Sequence, residues 1–131
     1  MSNTLFFVLA LYIFFRLKQF CCDFVLQTRW MALHKGDPGM AGYKPLAVHA
    51  GIHACATLII TLLLAPQFWW LAIVDFLVHG AVDRLKAVAT EHYRLDISQS
   101  RFWWAIGLDQ EAHNFTHLIY IIVITLNITG L

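Results

Sequence analysis

Eight polar residues in this sequence form four pairs with one common spacing: Asp23 with Gln27, His49 with His53, His79 with Asp83, and Asp109 with His113. Four residues is slightly more than one helical turn, so both members of a pair project from one helix face. Each pair lies on a different hydrophobic segment. Imidazoles and carboxylates gathered in this number are ligand chemistry for a divalent metal, zinc first and iron or manganese next. A bound ion of this kind makes hydroxide available near neutral pH, and an adjacent Asp or His can carry the proton. Two other chemistries use the same groups. One is a purely structural or proton-conducting polar network between helices. The other is axial ligation of haem by His, which so many carboxylates at one level disfavour.

The elements that must bring these pairs together are four apolar segments, at about residues 4–28, 45–64, 68–88 and 102–128. Hydrophobic residues make up 60% of the 131 and charged residues 13%, where soluble domains run near half and a quarter. The mean hydropathy of +0.64 agrees. The expected fold is all-α: a polytopic membrane protein with four transmembrane helices in an up-down bundle, forming a single domain over 1–131. A net charge of +1 gives no case for nucleic acid as a partner. Cys21, Cys22 and Cys55 are an odd count inside apolar segments, without zinc-type spacing, and read as small apolar fillers. The apolar run 5–15 lacks a basic leader and a small-residue cleavage site, so it reads as the start of a retained membrane helix.

Loop charges orient the bundle. Arg29, Lys35, Lys44, Arg94 and Arg101 fall in the first and third loops, while the second loop and both tails carry no Lys or Arg. The positive-inside rule puts the long loops in the cytoplasm and the N and C termini in the periplasm. All four pairs then lie in the cytoplasmic half of the membrane. They sort into a deeper layer (Asp23, His53, His79, His113) and a shallower one (Gln27, His49, Asp83, Asp109), about 5–6 Å apart.

Within this frame His49, His53, His79, Asp83, Asp109 and His113 are the candidate metal ligands. Asp23 is a ligand or a general base, and Gln27, Gln110 and Arg16 are supporting groups that orient the others. Arg16, Arg84 and Lys86 are placed to hold an anionic group such as phosphate, with Lys86 alternatively a plain cytoplasmic anchor. Lys18 falls off the polar stripe of the first helix and is given only a snorkelling role. His34, His92 and His117 lack partners at helical spacing and read as bystanders, although His117 continues the face of His113. Ser98 or Ser100 is the expected N-cap of the last helix.

Several of these residues carry a resemblance. Lys-Gln-Phe-Cys-Cys-Asp-Phe-Val-Leu-Gln-Thr at 18–28, Trp30, Met31 and Lys35, His49 in Val-His-Ala-Gly-Ile-His, the block 79–86, and Gly-Leu-Asp-Gln-Glu-Ala-His at 107–113 together resemble a family of small bacterial and phage membrane proteins. It is the domain-of-unknown-function family numbered 3307, and the likeness runs from Lys18 to His117. More loosely, the chain is similar to inner-membrane proteins described as metal-dependent hydrolases. That second likeness implies His49, His79, Asp83, Asp109 and His113 as ligands, in a multi-pass protein of the bacterial inner membrane. The expected function is hydrolysis of a lipid-linked or amphipathic phosphate or ester at the cytoplasmic leaflet, with membrane lipid as the surroundings. The alternative is a non-enzymatic transport, proton-relay or assembly subunit, working with further copies of itself or within a larger membrane complex.

Overall fold

The structure, a computed structural model, describes residues 2–130, so the two terminal residues of the expected 1–131 domain lie outside it. It is all-α. Five α-helices follow one another: α1 (Ser2–Phe20), α2 (Arg29–His34), α3 (Met40–Leu64), α4 (Leu71–His92) and α5 (Ser100–Thr129). The boundaries differ from the sequence expectation in several places: α3 begins at Met40 instead of Pro45, and α4 runs over Leu71–His92 instead of 68–88. The first helix stops at Phe20 and continues as a π-helical turn, Cys21–Val25, closed by Leu26 N–H donating to the Cys21 carbonyl at 2.8 Å. The first loop is partly helical, because Thr28 accepts from the Met31 N–H at 3.3 Å and caps α2. The N-cap of α5 is Gln99, without a side-chain bond, instead of either serine. Ser98 donates to Asp96 within the preceding loop instead.

Alternating chain direction follows from which residues meet. An apolar core of Leu11 and Phe15 from α1, Ile60 from α3, Leu71 from α4, and Ile121 and Ile124 from α5 lies at one end. Beyond it Lys18, Thr57, Asp75 and His117 are in contact. Further on, Asp23, His53, His79 and His113 meet, and then His49, Asp83 and Asp109. Residue numbers rise along α1 and α4 and fall along α3 and α5, so the four long helices run up and down. The start of α1 and the end of α5 therefore lie at the end of the apolar core, and both long loops lie beside the polar cluster.

Asn3–Val25 and Met40–Leu64 are long and apolar enough to cross a membrane; α4 and α5 are not, which corrects the expectation of four such segments to two. On α4 the reason is charge; on α5, with no more charges than the first span, it is also the polar His113, Asn114, His117 and Asn127. Asp75, Asp83, Arg84, Lys86 and Glu91 sit on α4, and Arg101, Asp109 and Glu111 on α5. Their outward faces are nonetheless apolar, with Ile73, Leu77, Leu108, Phe115 and Ile119 exposed.

At the loop end the turn before α3 depends on glycine. Gly39 has φ +63, and a Cβ on Gly42 would lie 2.2 Å from the Asp37 carbonyl oxygen and 3.1 Å from an Arg84 guanidinium nitrogen. That same Asp37 carbonyl accepts from Arg84 at 2.8 Å, and the guanidinium stacks on Tyr43. Gly42→Ala must therefore push this turn away from α4. A loss of roughly 1–3 kcal/mol is expected from such overpacking. Thermal unfolding in detergent checks it, with Gly51→Ala, where a Cβ meets nothing within 4 Å, as the neutral control.

Candidate metal centre

The inner polar cluster comes from all four long helices. Asp23 Oδ1 lies 3.1 Å from His53 Nε2 and 3.3 Å from His49 Nε2. Asp83 stands 3.4 Å from His49 Nε2, 3.5 Å from His113 Nε2 and 3.8 Å from His79 Nε2. Asp109 Oδ1 is 3.5 Å from His113 Nε2. Two sets of potential ligand atoms lie within 4.8 Å of one another: Asp23, His49, His53 and His79, and then His79, Asp83 and His113. His79 belongs to both. All of these side chains are buried except Asp23, which is half-buried.

These separations decide between two kinds of bonding. A direct N–H···O bond has its optimum near 2.9–3.0 Å and fades beyond 3.2 Å. A tetrahedral ion with bonds of ~2.0–2.1 Å holds its donors about 3.3 Å apart. Most of the distances fit the second value better. The unpaired atoms point the same way. Both ring nitrogens of His49 and of His79, Nδ1 of His53 and Oδ1 of Asp109 are buried without a hydrogen-bond partner, in a setting where each such group costs a few kcal/mol. A common cation satisfies nitrogens and carboxylates together. Haem does not suit this arrangement. The imidazoles of His53 and His79 stack with centroids 3.6 Å apart and those of His79 and His113 at 4.1 Å, leaving no room for a porphyrin plane between rings.

Local structure explains how each group is aimed. The π turn widens the end of α1 at the residues that carry Asp23, a distortion that concentrates at functional sites. Gln19 and Gln110 donate to Asp23 Oδ2 at 2.6 and 3.2 Å, which holds the carboxylate so that Oδ1 faces His49 and His53. Gln110, expected as a supporting group, thus reaches the same carboxylate oxygen as Gln19. Gln27 instead donates to the Asp23 backbone carbonyl at 3.2 Å and caps the turn. The two expected layers are in contact, because His49 lies beside both Asp23 and Asp83.

Charged residues outside the cluster fall into distinct places. Lys86 lies 3.7 Å from Asp109, at the rim. Arg16 is exposed on α1 and donates to Asn114, lining a groove with His117 and not the inner His/Asp sets, and Arg84 is committed to the Asp37 turn. Lys35, a loop residue, makes the 2.7 Å ion pair with Asp83. His34 is not unpartnered, since it lies 2.8 Å from Asp37, and His92 packs edge-on against Tyr93.

Sequence reasoning missed one buried group. Lys18 does not snorkel: its ammonium is enclosed, 2.6 Å from Asp75 and 2.9 Å from His117, while Thr57 donates to Asp75 at 2.7 Å. His117 is therefore no bystander. The signal was present, because Asp75 precedes His79 by four, Thr57 follows His53 by four, and His117 follows His113 by four.

A family model described as "Protein of unknown function (DUF3307)" matches residues 11–131 of the chain. No curated protein and no solved structure matches it.

Proposed function

The chain belongs to the DUF3307 family, whose description states no activity, and for it we propose a membrane-embedded, metal-dependent hydrolase acting on a lipid-linked or amphipathic phosphate or ester at the cytoplasmic leaflet. The observation that carries this is the set of His and Asp donor atoms at 3.1–3.5 Å on four helices, next to an open cavity of about 600 Å³ with Asp83 in its wall. All four long helices lie in the bilayer. Asp75, Asp83 and Asp109 face the bundle interior, as intramembrane charges must, while Glu111 is exposed and linked through Asn114 to Arg16; the apolar outer faces meet lipid. The basic loops are cytoplasmic.

Asp23, His49, His53 and His79 would hold an ion on the inner side, and His79, Asp83 and His113 would form a second set on the side of the cavity. When bound, a zinc-type ion supplies hydroxide near neutral pH and polarises the substrate oxygen. Asp23 is a ligand instead of a base, because both His49 and His53 converge on its Oδ1. Asp109, with a free Oδ1 beside His113, is the group that accepts the water proton. Lys86 stands 3.7 Å from that carboxylate, at the rim.

A proton conduit is the less suited alternative. The polar column extends inward to Lys18, Asp75 and His117 but ends on Leu11, Phe15, Ile60 and Ile124, all at most 7% exposed. The proposal is tested on untagged protein purified in detergent. Elemental analysis should find about one or two zinc, iron or manganese ions per chain. Hydrolysis of short-chain lipid phosphates and esters should fall at least about tenfold with chelator and return with zinc. Folded protein that takes up no ion, or hydrolysis that chelator leaves unchanged, overturns the proposal.

A further inference from the structure

Two lysines at the loop end are each tied to a carboxylate of the candidate metal centre. Lys35 Nζ is 2.7 Å from Asp83 Oδ2, and Lys86 Nζ is 3.7 Å from Asp109 Oδ2. Both lysines line the cavity described above, together with Arg94. The charged residues of its wall are balanced: Lys35, Lys86 and Arg94 against Asp37, Asp83 and Glu91. Such a cavity has no net pull on an anion. A divalent ion held by Asp83 changes this, because it adds two positive charges at the cavity wall and takes over the carboxylate to which Lys35 is bound. Bound cations are often the largest local charge in a site and reset its electrostatics in this way.

Arg94 adds an independent observation. It lies two residues beyond the end of α4 with φ 48, the one non-glycine residue of positive φ among those described. Glycine is the usual occupant of such a left-handed position after a helix, and an L side chain there is held against a backbone preference. The strained arginine keeps a guanidinium at the cavity rim, and strain of this kind collects at ligand clamps. The opposite part of the wall is apolar, with Leu33, Leu95, Phe102 and Ile106.

We propose that Lys35, Lys86 and Arg94 form a phosphate-binding site that becomes available when the adjacent His/Asp centre is loaded with metal. This rests on reading that centre as a metal site, and it selects phosphate over neutral esters as the substrate class. Metal-free, Lys35 stands in for the ion as the partner of Asp83. Metal-loaded, Lys35 is released to bind phosphate oxygens beside Lys86 and Arg94, which lysine does as a flexible point charge and arginine as a planar fork. The apolar wall accommodates a tail, so the phosphate arrives either as a lipid headgroup or free.

The test uses whole protein in detergent, zinc-loaded or stripped by chelator and then desalted, titrated calorimetrically with inorganic phosphate and with short-chain phosphatidic acid. Loaded protein should bind phosphate at least about tenfold more tightly than stripped protein, within the ordinary range of site-to-site coupling. By reciprocity, phosphate should tighten zinc binding by the same factor. Lys35→Met and Lys86→Met should each weaken phosphate binding to loaded protein severalfold with zinc content unchanged. Arg94→Gly should weaken it while raising the thermal midpoint, since the backbone strain is relieved. Phosphatidic acid binding much more tightly than inorganic phosphate identifies the headgroup as the ligand; equal affinity identifies free phosphate. Equal binding to loaded and stripped protein, or lysine variants that bind as the parent does, overturns the site. Folded protein that takes up no zinc overturns this proposal together with the hydrolase, whereas normal zinc uptake without coupling to phosphate overturns this one alone.

Discussion

Replacing His79 by alanine is expected to abolish metal binding while leaving the bundle folded. His79 is the residue common to both groups of potential ligands, so its loss breaks each of them at once. It also makes no hydrogen bond through either ring nitrogen, and no partner is left with an unmet polar group when it goes. Removing a group that merely orients a ligand costs about 10–100-fold in metal affinity, and removing a shared ligand should exceed about a hundredfold. The structural cost is the lost packing between His53 and His113, against which the ring stacks. Emptying that volume should lower stability by about 2–4 kcal/mol. Elemental analysis beside a thermal melt separates the two effects, with His34→Ala as the control: His34 pairs with Asp37 in the loop and should change neither. A His79→Ala protein that keeps its full ion content would remove His79 from the site.

The second large effect concerns Asp75, which takes no part in the proposed chemistry. Asp75→Ala leaves the Lys18 ammonium enclosed, with side-chain exposure of 1%, and without its carboxylate. Stripping one partner from a buried ion pair costs about 3–5 kcal/mol, because an uncompensated charge remains. Replacing both partners by apolar residues of similar size, Lys18→Met with Asp75→Leu, should recover most of that loss. The recovery will be incomplete, since Thr57 and His117 also lose their contact to Asp75. Unfolding of the two single variants and the double variant in detergent gives the coupling directly. A single Asp75→Ala cost below about 1 kcal/mol would mean that Lys18 reaches water, and the buried pair would have to be given up.

Several features of this protein are determined by its sequence alone. The step of four places His49 with His53, His79 with Asp83, and Asp109 with His113 on helix faces, because helical periodicity is local and depends on no other part of the chain. The same rule, together with the cost of charge in an apolar segment, makes these faces turn towards one another. The all-α class and the gathering of His and Asp from four helices follow from that. Gln110 beside Asp23 was within reach of the same reasoning.

Tertiary structure decided the rest. Asp75, Thr57 and His117 continue the same four-residue step, yet single residues at the end of a stripe become a group only when neighbouring helices fix their relative height. Lys18 joined that group because α4 presents Asp75 to it, which no periodicity within α1 can specify. The π turn at Cys21–Val25 adds a residue to the winding of α1 and so re-aims Asp23. Lys35 reaches Asp83 across 48 residues of sequence because α2 and the glycine turn fold the loop back over the open end of the bundle. Spacing within one helix is set by backbone geometry. Contacts between helices are set by packing and loop closure, and the partners of Asp75, Asp83 and Lys18 belong to that second kind.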